Sequence, residues 1–346
     1  MLREPLSDSE PGRPPSEATA GRAGPRMERD AASAPVPRPR GAPGAARTPR
    51  LPMTRARATL LLLLAALFWG AGNVAGKTVD DHLDALWVVV LRCAAAVPVL
   101  FLLARREGGP VPRAFVTGLV PVAFLFAAAL STQQLAMADA RVSNAGFLVS
   151  MAVVMTPLLD WALFGRRPGP RVAVAAAVTA TGAFLLAGAT LDPWAWRPGD
   201  RLCLLSALMW AGWTVAVREH AARWGRPLSM ALGQTALAIP LLLPLALPLG
   251  LPAPADVAAA LPDLVVLGVL ATALTSALVA SALRRVAAAP AAVIVSADSL
   301  VGLGGAVALL GERPAPVVLL GGALIFLAIA VAATEPSRPP PSPAWR

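Results

Sequence analysis

The sequence predicts an all-α integral membrane protein with ten transmembrane helices laid out as two inverted five-helix repeats. Three observations predict it. The chain of 346 residues is 56% hydrophobic and only 14% charged, which is too apolar for a soluble domain of this size. After residue 57, apolar blocks of about 20 residues, the length that crosses a bilayer, follow one another with short polar joints between them. None alternates with the period of two that a spanning β-strand needs, so the spans are helices. The third observation is a repeat: LLAALFWGAGNVAGK, Leu63 to Lys77, aligns without a gap with LLSALMWAGWTVAVR, Leu204 to Arg218, at seven of fifteen positions.

Residues 1–57 are rich in Pro, Gly, Ala, Ser and Arg and carry no apolar periodicity, the composition of a segment that buries no core, and a disordered tail is expected. Met53 begins the basic-then-apolar run MTRARATLLLLL and is the alternative start of translation. A first repeat is expected over 58–189, with spans at 58–76, 83–104, 114–136, 144–164 and 171–189. A linker, 190–199, leads to a second repeat over 200–334, with spans at 201–217, 228–249, 263–283, 289–310 and 316–334, and a tail, 335–346, follows. In the seventh span Pro240, Pro244, Pro248 and Pro252 recur every four residues, each removing a backbone donor. That run predicts either a kinked helix or one that ends early.

A polar hinge also occurs twice. FGRRPGP, Phe164 to Pro170, closes the fourth span, and LGERPAP, Leu310 to Pro316, closes the ninth. Five spans is an odd number, so the second repeat enters the bilayer from the opposite side and the two hinges face opposite compartments. The charges agree. With the N-terminus inside, the inner joints hold most of the arginines, among them Arg105, Arg106, Arg113, Arg166, Arg167, Arg171, Arg223, Arg226, Arg284 and Arg285. The outer joints carry few bases beside Asp80, Asp81, Asp84 and Asp192, and the outer hinge sets Glu312 against Arg313. This positive-inside asymmetry predicts a multi-pass protein of the cell membrane with both termini cytoplasmic. It also accounts for the formal charge of +10 without nucleic-acid binding. Cys93 and Cys203 lie in separate spans and His82 and His220 far apart, so no metal site, disulfide or cofactor is expected.

The order WGAGNVAGK at Trp69 to Lys77, an arginine at position 92, AGFLVSMAVVMTPLLDWALFGRRP at Ala145 to Pro168, GDRLCLLSALMWA at Gly199 to Ala211 and ALLGERP at Ala308 to Pro314 resembles the EamA-type members of the drug/metabolite transporter superfamily. The resemblance covers residues 58–334 as two tandem repeats. It implies a ten-helix transporter of small metabolites with cytoplasmic termini, driven by a proton or exchange gradient. Family members commonly follow the ninth-span acid with a proline, whereas here Ser299 follows Asp298; a straighter helix is expected at that point. The first hinge also lacks the acid that the second one has.

Candidate functional residues follow from what is polar inside the spans. Arg92 and Asp298 fall near span centres, where an ionised side chain costs about 2.5–3.5 kcal/mol on insertion scales. The functional reading makes Arg92 an anchor for an anionic group and Asp298 a proton- or cation-binding group; the alternative is hydrogen bonding within the bundle, including to each other. Trp69, Asn73 and Lys77 share one helix face, and Trp210, Thr214 and Arg218 repeat that stripe. A paired stripe near a two-fold axis is where a central cavity is expected, with Lys77 and Arg218 snorkelling to the interface as the rival reading of its ends. Gly72 and Gly76 read as close helix packing. Ser131 to Gln134, Ser143 and Asn144 read as interfacial, and Asp160 as a clamp partner for Arg166 or Arg167. Arg166, Arg167, Glu312 and Arg313 are the hinge and gate candidates.

Inverted halves without a nucleotide-binding loop point to a secondary active transporter working by alternating access; the family resemblance implies a small metabolite, amino-acid-like compound or drug as substrate, and efflux is the expected direction. A membrane-embedded enzyme or a channel is the alternative, but the chain carries no HExxH, GxSxG or paired-carboxylate motif. The partners expected are a small-molecule substrate and the lipid bilayer, with the protein either a monomer or a homodimer.

Overall fold

The computed structural model describes residues 54–80, 82–140, 142–187, 197–310 and 314–334, all in the unit Pro52–Arg346. Most of the expected tail (1–53) and linker (190–196), the C-terminal segment, and Gly311, Glu312 and Arg313 of the second hinge lie outside them. Every element described is helical. Among the described residues nine helical segments are long and apolar enough to cross a membrane, and a shorter one starts at Ala288.

The first half contains α1 (Arg55–Val79), α2 (Ala85–Ala104), α3 (Arg113–Met137), the broken pair α4 (Val142–Ser150) and α5 (Ala152–Phe164), and α6 (Pro170–Ala187). The second half contains α7 (Pro198–Trp224), α8 (Pro227–Ala246) and a short α9 (Pro254–Ala259). An eighth crossing follows, made of α10 (Leu261–Val265), a π-helical stretch (Val266–Leu274) and α11 (Thr275–Ala282). The broken pair α12 (Ala288–Val295) and α13 (Ala297–Leu310) and the final α14 (Pro316–Thr334) complete it. Helix α8 continues through Pro240 and Pro244 and then tightens into a 3-10 turn, Leu247–Leu249, that carries Pro248.

Helix ends sort onto two sides. On the N side, where α1 begins, Arg55 Nη2 donates to the Ala332 carbonyl near the end of α14 at 3.2 Å. Glu107 after α2 caps the start of α8, accepting from the Leu228 and Ser229 N–H groups at 2.9 Å each, a carboxylate on the positive end of a helix. On the far side the Gly199 N–H donates to Asp139 Oδ2 at 3.0 Å, joining the end of α3 to the start of α7. There too Trp87 Nε1 donates to the Gly250 carbonyl at 2.7 Å, joining α2 to the segment after α8.

The packing obeys a two-fold exchange of the halves. Helix α1 lies against the eighth crossing as α7 lies against α3; α2 lies against the eighth crossing as α8 lies against α3; α5 meets α7 as α12 and α13 meet α1. The self-equivalent pairs α2 with α8 and α6 with α14 also pack together. With five crossings in each half, that exchange inverts the second half in the bilayer. The α6–α14 seam needs glycine: a Cβ on Gly321 would stand 2.6 Å from both the Gly182 carbonyl oxygen and the Leu186 nitrogen. Small residues allow this backbone contact where lipid gives helices no hydrophobic drive to associate. Large apolar side chains such as Leu102, Phe124, Leu163 and Phe326 point outward, as a lipid-facing surface requires.

A cavity between two broken helices

Both fourth helices break at corresponding places. Helices α4 and α5 meet at Met151, and α12 and α13 meet at Ser296; Met151 lies 14 residues before the hinge glycine Gly165, and Ser296 lies 15 before Gly311. Each break tightens the chain by a bond over three residues rather than four. The Met151 N–H donates to the Leu148 carbonyl at 3.2 Å, and the Ser299 N–H to the Ser296 carbonyl at 3.2 Å. The ninth crossing is therefore interrupted at Ser296, ahead of the Asp298–Ser299 pair. The break arises one residue pair earlier, where the Ser296 hydroxyl donates to the Val293 carbonyl at 2.6 Å and competes with the helical ladder.

Between the two breaks lies a cavity of about 120 Å³. Ser150 and Thr156 line it from the first half, Ala292, Ser296 and Asp298 from the second. Its third wall is aromatic. Trp69 of α1 meets Trp210 and Trp213 of α7 edge to face, with ring centroids 5.3 and 6.0 Å apart, and Trp210 meets Trp213 at 5.2 Å. Hydrogen bonds fix two of the rings: Trp210 Nε1 donates to Gln133 Oε1 at 2.7 Å, and Trp213 Nε1 to Gln234 Oε1 at 2.9 Å. Thr214 completes the wall and donates its hydroxyl back to the Trp210 carbonyl at 2.9 Å.

Asp298 is the one charged residue among the described residues that line the cavity. It sits in the first turn of α13, where the helix dipole favours its negative charge, and Ser299 Oγ lies 3.3 Å from its Oδ1. Ala292 and Val295, in the last turn of α12, also line the space.

Five of the residues named from the sequence, Trp69, Gln133, Trp210, Thr214 and Asp298, thus face one space, Gln133 lying in the cavity wall rather than at the interface. Asn73 lies on α1 one turn after Trp69; its side chain and that of Lys77 are outside the described residues, as are those of Ser143 and Asn144. Arg92 is not in the cavity wall. It is buried on α2 and donates Nε to Thr272 Oγ1 in the π-helical stretch at 2.9 Å, and among the described residues no ion pair joins it to Asp298. Its partner makes sense of the stretch: Thr272 in turn donates to the Leu267 carbonyl five residues back, at 2.7 Å.

An ionic cluster lies about one turn beyond the cavity on the N side. Thr156 to Asp160 along α5 and Thr214 to Arg218 along α7 are each four residues, about 6 Å of helix. Arg166, in the hinge after α5, bonds both carboxylate oxygens of Glu219, the Nη2–Oε2 contact being 3.0 Å, and its Nη1 lies 3.2 Å from Asp160 Oδ1. Arg218 Nη1 adds a 3.2 Å contact to Glu219. Asp160 and Arg218 are buried, so Arg218 closes the stripe from inside rather than snorkelling. The bond to Glu219 raises the pKa of Arg166 above its ordinary value, so this cation stays charged at every accessible pH. Gly165 lets the hinge turn, with φ of 66° and its N–H on the Trp161 carbonyl at 2.8 Å. Arg167 stands over the Trp161 ring at 5.9 Å, a cation–π contact at the edge of the bundle.

Sequence reading missed Glu219, Trp213 and Thr156. Trp213 was within reach of it, since positions 210, 213 and 214 share a helix face; Glu219 and Thr156 gave no signal of their own.

Comparisons with known proteins agree with this architecture. The sequence model of the EamA-like transporter family matches residues 56–188 and 197–334. The chain also matches 29 chains of solved structures. One, a crystal structure of a protein, is 20% identical at a TM-score of 0.63, covering 81% of this chain and 97% of that chain; this likeness shows the fold alone. No curated protein matches the chain.

Proposed function

Since the chain belongs to the EamA-like transporter family, membrane transporters of the drug/metabolite type, we propose that it moves a small organic solute across the cytoplasmic membrane by alternating access. The direction is efflux, and the driving force is the proton gradient or exchange. Both termini are cytoplasmic, which makes the N side the cytoplasmic one, in keeping with the arginines at its joints.

The observation that carries the reading is the pair of broken helices. Discontinuous helices in corresponding positions of two inverted halves are the usual walls of a transport site. Here both breaks line a single cavity, so rocking one half against the other would expose the same space to either side. Asp298 is the coupling group, able to hold a proton or a cationic solute but not both. The Asp160–Arg166–Glu219 cluster is the cytoplasmic gate, and the Glu312–Arg313 hinge its counterpart on the outer side.

The test is counterflow. Metabolite pools of cells with and without the gene nominate solutes, and purified protein in liposomes preloaded with each is offered trace label outside. The reading predicts a saturable, transient overshoot of label inside. A channel equilibrates label without overshoot, and that result would discard the reading.

A further inference from the structure

Resting on the transport reading above, we infer that the cavity takes a monovalent organic cation, an aromatic or alkyl ammonium of small size, held between the Trp69, Trp210 and Trp213 rings and the Asp298 carboxylate.

Two features of the wall define this chemistry. The first is its charge inventory. Among the described residues Asp298 is the sole ionisable group on the cavity, and the buried arginine that would anchor a carboxylate, Arg92, is turned toward Thr272 in the π-helical stretch. Among the described residues an amino acid or other carboxylate would find one negative charge and no positive one. At membrane depth, charge repulsion of that kind is poorly screened.

The second feature is the indole cluster. Three tryptophans line the cavity, and the N–H groups of two of them are already bonded to Gln133 and Gln234. Those two rings therefore offer carbon and π surface rather than donors. Their orientations are fixed before any ligand arrives, which lowers the ordering cost of binding. A π face attracts an ammonium, most strongly when water is excluded, and the preference is greatest for indole. Cluster and carboxylate together satisfy a hydrophobic cation; a neutral solute would use only the cluster, and an anion would in addition meet repulsion from the carboxylate.

The same wall constrains coupling. If one carboxylate holds either a proton or one monovalent cation, exchanging them across the membrane moves no net charge. Transport should then follow a pH gradient and ignore an imposed potential.

The test is equilibrium binding to the purified full-length chain, read by tryptophan fluorescence and by calorimetry, with three probes of similar size: benzyltrimethylammonium, neutral N-benzylacetamide and anionic benzylsulfonate. The proposal expects saturable binding of the ammonium, at least tenfold tighter than either other probe. It also expects a tenfold or greater loss in Asp298→Asn, with partial recovery in Asp298→Glu. Equal or tighter binding of the amide or the sulfonate, or no saturable binding of the ammonium, would overturn it. Should Asp298→Asn fail to fold, the ranking of probes on the unaltered protein still decides. Counterflow separates the two readings: binding selectivity without any overshoot of labelled ammonium keeps the substrate class and removes the transport cycle, whereas overshoot with a neutral or anionic solute does the reverse.

Discussion

Arg166 and Glu219 are joined at two points, hinge to helix, one turn beyond the cavity on the N side. The bridge ties the end of α5, which carries one broken wall of the cavity, to α7, which carries its tryptophans. Partly exposed ion pairs of this kind contribute up to about 1 kcal/mol, and as a difference between two conformations that amounts to a population shift of about fivefold. Glu219→Gln is expected to raise the rate at which a cysteine at position 156 reacts with a membrane-impermeant thiol reagent from the N side by about that factor. An unchanged rate would mean that the bridge is structural only.

Asp298→Asn removes the one ionisable group on the described cavity wall. Uphill transport driven by an imposed pH gradient is expected to fall to background, while Asp298→Glu retains part of it. Proteoliposome uptake with and without the gradient checks this; gradient-driven uptake surviving in the Asn variant would move coupling elsewhere.

Arg92→Ala is expected to act on stability rather than on affinity. It strips Thr272 of a buried charged donor at 2.9 Å, a bond type that contributes about 1.5–3 kcal/mol. A lowered thermal midpoint with substrate affinity within about threefold of the parent fits this role. A selective loss of affinity would place the guanidinium at the substrate after all.

Gly321→Ala puts a Cβ 2.6 Å from backbone atoms of α6 on two sides. Backbone cannot rotate away as a side chain can, and overpacking of this sort costs about 1–3 kcal/mol. Lower yield and thermal midpoint are expected. Gly76→Ala, which meets nothing within 4 Å, serves as the neutral control.

Much of this fold is legible in the sequence because the bilayer makes it so: each crossing must be long, apolar and helical. The repeat of Trp69 and Trp210 showed the halves, and helical spacing from those residues pointed to Thr214. What escaped is what depends on which helix faces which. Arg92 reads as a transport-site charge until its neighbour Thr272, 180 residues away, is known. Glu219 looks like an interfacial acid until the Arg166 hinge folds onto it. Gly72 and Gly76 look alike in sequence, yet only Gly72 has a neighbour, Ala271, close enough to forbid a side chain. The break at Ser296 is local chemistry, a hydroxyl taking a carbonyl from its own helix, and a serine in an apolar run does not announce it.

The central claim, one cavity opened to each side in turn, is tested most directly by two-sided labelling of a single cysteine at Thr214, with Cys93 and Cys203 replaced by alanine. Cysteines replacing Arg166 and Glu219, joined through a short bis-methanethiosulfonate that spans the length of an Arg–Glu bridge and is released by reduction, allow the N side to be locked. Alternating access predicts that the Thr214 position reacts with an impermeant reagent from both sides when the lock is reduced. When the lock is closed, it should react from the far side only. Labelling from the N side that persists undiminished with the lock closed would contradict the account.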